Sequence, residues 1–229
     1  MQKIKTLSVI LILLISTVIV FAEGFWTEVQ NNSFRTGRAE MSGGVKDPEI
    51  LWKYYRGGNL NPNNFAVDED GNIFFSTNGV VKAVDKNLNL LWVSENFGAN
   101  RIFKIIDLNN DGPKELVVAG NLGIRIISSE NGLIQSIIPT ESPSFAKLAD
   151  VNDDGFADLV VRGRWNIRDV RAYDFSNGAD EPEIIWEITE NIENYGIELT
   201  FGDLNNDAEK ELITDRMYGG LISVFNAGV

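Results

Sequence analysis

From residue 65 onward the chain alternates short apolar runs with clusters of Asp, Asn and Gly. One set of runs reads IFFS, ELVVAG, DLVVRG and ELIT, each directly behind an acidic turn. A second set follows as GVVKAVD, GIRIISS, VRAYDF and GLISVFN. A third set, LLWVS, LIQSI and IIWEI, comes after a further turn such as DKNLN, SENG or the longer SNGADEPE. Runs of this length, rich in β-branched residues and bounded by turn formers, predict strands joined in hairpins. No segment beyond the first 22 residues carries a helical period.

The runs recur as four units, near 65–95, 105–138, 148–189 and 201–229. Asp70, Asp111, Asp154 and Asp207 mark the same place in each and lie 41, 43 and 53 residues apart. Repeats of 40 to 50 residues built from three or four strands predict an all-β fold, a β-propeller of about four blades or part of a larger one. Trp52, Trp92 and Trp186 each sit in a strand context, ILWKY, LLWVS or IIWEI, that closes a unit. They are expected to pack between blades.

The last unit ends without its Trp-bearing strand, while residues 49–57 hold such a strand ahead of the first unit. Pairing of 49–57 with the last unit would close the ring and hide its edges. The alternative is that the chain supplies the front of a larger ring. The expected organisation is thus a leader at 1–22, an N-terminal extension at 23–47 and propeller repeats over 48–229.

The acidic turns carry the candidate chemistry. The second unit reads DLNNDGPKE, the third DVNDDGFAD and the fourth DLNNDAEKE. Counted as loop positions one, three, five and nine, these supply Asp107, Asn109, Asp111 and Glu115; Asp150, Asn152, Asp154 and Asp158; and Asp203, Asn205, Asp207 and Glu211. Alternate oxygens of a tight loop, with a backbone carbonyl at position seven (Pro113, Phe156 or Glu209), suit a hard cation such as Ca2+. Gly112 and Gly155 at position six permit the sharp turn, and Ala208 is expected to strain it in the fourth unit. An EF-hand is excluded, because position twelve is Val118, Val161 or Thr214 and a strand follows. The first unit has Ala66 at position one and Phe74 at position nine, so its turn is expected to be a plain hairpin. Asp, Asn and Gly also make good turns without any ion.

Composition narrows the function. Among 229 residues there is no His and no Cys, which removes Ser-His-Asp and Cys-His catalysis, the usual zinc sites and any disulfide. Lys3 and Lys5 precede an apolar run from Leu7 to Phe21, and Val20-Phe21-Ala22 offers a cleavage site. This pattern predicts a secretory signal, with an uncleaved anchor as the alternative. Its loss removes two lysines and no acid, leaving 18 basic against 33 acidic residues, a net charge of −15. Such a surface disfavours nucleic acid and anionic lipid. The expected chain is therefore secreted, periplasmic or at the cell surface, with no stable membrane insertion after cleavage.

At DLNNDGPKE and DVNDDGFAD the chain resembles the FG-GAP/VCBS repeats, the calcium-loop propeller repeats also found in integrin α-chains. The resemblance covers roughly 105–229. The integrin-like FG-GAP phrases are absent, although Ala149 and Phe201-Gly202 precede their loops in the expected place. Residues 26–40, WTEVQNNSFRTGRAE, and the unit GNIFFSTNGVVKAVDKNLNLLW resemble PQQ-like quinoprotein repeats, but nothing marks a quinone site. Both resemblances imply a propeller and only weakly imply a function. The expected role is a non-catalytic binding, adhesion or scaffold module, stabilised by two or three structural Ca2+ ions, with an unidentified protein or polysaccharide as partner. Two alternatives remain: a scaffold in envelope assembly, and a polysaccharide lyase or hydrolase using the basic-aromatic insertion Arg162, Arg164, Trp165, Arg168 and Arg171.

Overall fold

A computed structural model describes Lys53 and residues 64–121, 123–140, 145–162, 169–189, 199–207, 210–215 and 222–226. The expected signal, the N-terminal extension and the closing strand at 49–57 lie outside these residues, apart from Lys53, as do Trp52, Arg164, Trp165, Arg168 and Ala208.

The described residues form four antiparallel sheets, each a simple meander. The first contains β1 (Phe65–Val67), β2 (Ile73–Thr77), β3 (Val80–Val84) and β4 (Leu90–Val93). The second contains β5 (Arg101–Ile106), β6 (Glu115–Gly120), β7 (Gly123–Ser128) and β8 (Ile134–Ile138). The third contains β9 (Phe145–Ala149), β10 (Asp158–Arg162), β11 (Val170–Asp174) and β12 (Glu183–Ile188). The fourth contains β13 (Leu199–Gly202), β14 (Glu211–Asp215) and β15 (Ile222–Asn226).

Alternation along the central strands turns these sheets into propeller blades. Side chains of successive strand residues point to opposite faces. On β6, Leu116 and Val118 therefore join the core shared with the first sheet, while Val117 joins the core shared with the third. On β10, Leu159 and Val161 face back to the second sheet and Val160 faces forward to the fourth. Burial on both faces explains why ELVV and DLVV read as unbroken apolar runs. The first strands of neighbouring sheets also touch, β1 with β5 and β9 with β13. The chain is an all-β protein of propeller-type blades.

Each blade starts with a strand ahead of its acidic turn. The sequence units at 105, 148 and 201 begin inside β5, β9 and β13 rather than at their starts. Arg101, Lys104 and Lys147 interrupt these inner strands, so the apolar pattern that marks the other strands is weak there.

Trp92 packs between blades as expected. Its indole N–H donates to the Ser129 carbonyl of the next sheet at 2.9 Å, and its ring lies 5.8 Å from that of Phe74. Gly132 sits against the same ring: a Cβ there would fall 2.5 Å from Trp92 Cε3, and φ is +76°. Trp186 packs against the core between the third and fourth sheets.

Candidate metal centre

The three acidic turns fold alike because each is built from the same internal hydrogen bonds. The position-three Asn donates its Nδ2 to the position-five Asp at 2.9, 2.9 and 2.8 Å in the second, third and fourth units. The Asn oxygen in return accepts the Asp backbone N–H at 3.3, 3.2 and 2.9 Å. Position four is left-handed in all three, with φ of +55° at Asn110, +58° at Asp153 and +62° at Asn206. Asn and Asp tolerate this region better than other non-glycine residues.

At position six, Gly112 and Gly155 have φ of +103° and +89°, and an added Cβ would meet nothing within 4 Å. Backbone conformation, not crowding, selects glycine here. Their N–H groups donate to the position-one acids, Gly112 to Asp107 Oδ2 at 2.9 Å and Gly155 to Asp150 Oδ2 at 3.1 Å.

The position-nine acid turns back under the loop. Glu115 Oε2 accepts the Leu108 N–H at 3.0 Å, Asp158 Oδ2 that of Val151 at 2.7 Å, and Glu211 Oε2 that of Leu204 at 2.7 Å. These carboxyls are buried. Burial is the main cause that pushes the Glu115 carboxyl up to about 7, with Asp111 and Asp107 adding to it. Burial likewise raises Asp158 to about 6, helped by Asp154, Asp174 and Asp150. The backbone hydrogen bond opposes the rise in both cases. Concentrated negative charge and lost hydration thus disfavour the carboxylate unless a cation is supplied.

The third unit goes furthest. Asp154, Asp158 and Asp174 bring one oxygen each to within 4.8 Å of one another, the one such group among the described residues. Asp158 is fully buried; its Oδ1 and the buried Asp150 Oδ1 have no hydrogen-bond partner among the described residues. An all-oxygen donor set with orphaned buried carboxylate oxygens fits a hard divalent cation. The second and fourth units place their own acids along the same turn without forming such a group among the described residues.

Two features escaped the sequence reading. Asp174 comes from β11, outside the loop, where only the antiparallel register brings it beside Asp158. The other is the position-eight Lys. Lys114 forms an ion pair with Glu69 of the first blade's turn. Lys210 reaches from the fourth blade to Asp153 at 2.8 Å and to the Asp150 carbonyl in the third. The dipeptide Lys-Glu at positions eight and nine of both loops was its sequence signal; the third unit has Ala157 instead.

The first unit's turn is organised differently. Asp68 accepts the Asp70 and Asn72 backbone N–H groups at 3.0 and 2.8 Å, and the Asn72 side chain at 2.8 Å. Asp85 makes the same clip with Asn87 and Asn89. Side-chain and backbone donors from Asn89 and Asn87 hold the Asp85 carboxyl below its usual range. Amides alone close these two hairpins, as Asx turns do.

Of the basic insertion, Arg162 is buried and bonds to Thr214 across the blade interface. Arg171 is tied to Glu187 at 2.7 Å and Asp169 at 2.8 Å. Both described arginines are engaged in holding strands together.

The fold and its acidic turns define a propeller-type protein with a candidate cation centre on the third blade. No protein-family model and no curated protein matches the sequence. Among solved structures the chain is similar to BamB from Moraxella catarrhalis, with a TM-score of 0.48 and 16% identity over 79% of this chain and 58% of that one. It is also similar to the V. cholerae biofilm matrix protein Bap1, with a TM-score of 0.40 and 17% identity over 63% of this chain and 25% of that one. The chain therefore spans less than two thirds of either protein. At this distance the fold assignment rests on the sheets themselves.

Proposed function

We propose that the chain is an exported, calcium-stabilised β-propeller that acts as a non-catalytic binding, adhesion or scaffold module. The observation that carries this reading is the fully buried Asp158, whose Oδ1 has no partner within a group of acidic side chains. The two or three ions would be held, one to a loop, by the ligands named from sequence: Asp107, Asn109, Asp111 and Glu115; Asp150, Asn152, Asp154 and Asp158; and Asp203, Asn205, Asp207 and Glu211. The likeness of these loops to FG-GAP/VCBS calcium turns supports the same assignment. Bound Ca2+ neutralises clustered carboxylates and ties the turn between the first two strands of a blade, so metal binding and folding are coupled. Export is supported by the N-terminal charge and apolar pattern, and an acidic sequence suits it. The partner is a protein or a polysaccharide.

The test is a thermal melt of the chain with millimolar Ca2+ and with EGTA. A clear fall in Tm on chelation supports the reading, and superimposable melts overturn it.

A further inference from the structure

We propose that Asp174, contributed by strand β11 rather than by the acidic loop, is a direct cation ligand and makes the third-blade site a four-carboxylate centre distinct from those of its neighbours. The inference rests on the calcium reading above and adds to it a ligand that the loop motif does not contain.

Register places Asp174 there. β10 pairs with β11 through Leu159↔Tyr173 and Val160↔Ala172, so Asp158 and Asp174 are the next opposed pair. The corresponding partner of Glu115 is Ser128, and that of Glu211 is Asn226. An acid occupies this place only in the third unit. Opposed like charges on adjacent strands destabilise a sheet, and here Asp154 adds a third carboxylate within 4.8 Å.

The nearby cation does not relieve this. Lys210 bonds to Asp153 and to the Asp150 carbonyl. Asp174 is held in place by the Ser176 N–H at 2.7 Å on Oδ1 and the Ser176 hydroxyl at 2.6 Å on Oδ2. Each of its oxygens keeps a second lone pair for an ion. Opposite it, Asp158 Oδ1 is buried without a partner, a position that an ion held between the two strands would satisfy.

The charge count then separates the sites. Asp150, Asp154, Asp158 and Asp174 give the third blade four carboxylates, against three in the second (Asp107, Asp111, Glu115) and three in the fourth (Asp203, Asp207, Glu211). Affinity in oxygen-ligand sites rises with ligand charge. The third-blade site is the tightest of the three and gains most when Ca2+ is exchanged for a trivalent ion of similar size.

The experiment is a titration of the full chain with Ca2+ by calorimetry and with Tb3+ by luminescence, for the wild type, Asp174→Asn, Asp174→Ser and Asp154→Asn. Asp174→Asn keeps an oxygen for the Ser176 N–H but loses the charge, and Asp174→Ser installs the residue of the second unit. The expected result is a tight class of site in the wild type that weakens by at least about tenfold in both Asp174 variants, while the weaker class is unchanged. In EGTA, Asp174→Asn is expected to melt no lower than the wild type, since it removes repulsion.

Binding curves for Asp174→Asn that superimpose on the wild type, with Asp154→Asn still weakening a site, would show that Asp174 only caps its turn. That outcome overturns this inference and leaves the calcium reading standing. Absence of Ca2+ and Tb3+ binding by the folded wild type overturns both.

Discussion

Glu115 and Asp158 are acids whose environment favours the proton. Both carboxyls titrate above their ordinary range, at about 7 and about 6. Between the ordinary carboxylate pKa and these values the folded chain binds more protons than the unfolded chain. Without divalent cations, stability is therefore fullest below the ordinary carboxylate values of 3.8 for Asp158 and 4.5 for Glu115 as far as these two groups go, and is lost as pH rises through 6 and 7. A bound cation demands the ionised forms and reverses the trend. Melts in EGTA should accordingly fall from pH 5.5 to 7.5, whereas melts in Ca2+ should hold or rise. Parallel pH profiles in the two buffers would remove the ion from the explanation. Glu115→Gln can keep the bond from Leu108 N–H while deleting the charge. It should raise the EGTA melt at pH 7.5 and shrink the Ca2+-induced shift, both read by calorimetry. At Gly155, φ of +89° makes Ala costly even in open space, by about 1–2 kcal/mol, and the same variant should weaken Ca2+ binding.

The blade interfaces show at the element scale which contacts hold neighbouring sheets together. Trp92 fills the gap over Gly132, and its N–H reaches the next blade. Trp92→Ala should cost about 3–5 kcal/mol. Gly132→Ala introduces a Cβ inside the ring's contact distance at a left-handed φ and should also destabilise strongly; a urea melt measures both. Lys210→Met cuts a partly exposed ion pair to Asp153 and should cost about 1 kcal/mol or less. The central strands were legible because burial on both faces leaves unbroken apolar runs in the sequence, and the largely exposed strands β4 and β12 were legible through the Trp that recurs in them. The inner strands were less legible, since Arg101, Lys104 and Lys147 break the pattern. The acidic loops were legible as a repeated phrase, and their internal bonds proved nearly identical. Asp174 was not. Its relation to Asp158 depends on which residues oppose one another across a hairpin, and loop spacing does not encode that.

At the scale of the molecule the fourth sheet differs from the other three at its edge. Among the described residues β15 pairs only with β14, while the other three sheets each have a fourth strand. Ile222 and Val224 of β15 are exposed, at 66% and 49%. A strand edge of this kind, if left unpaired, is a template for pairing with other chains. Residues 49–57 carry ILWKY, the same Trp-centred pattern as β4 and β12, and we propose that they pair with β15 as a fourth strand. Chains beginning at residue 48 and at residue 58 then differ by one strand only. The longer one should be monomeric in sedimentation, with a single cooperative melt. The shorter one should melt lower and self-associate in a concentration-dependent way. Glu substituted at both Ile222 and Val224 distinguishes a bare edge from general loss of stability: it should reduce association of the shorter chain without restoring its Tm. Equal melts and equal sedimentation for the two chains would mean that residues 49–57 do not cover β15. The edge would then be available to further blades, as a larger ring requires.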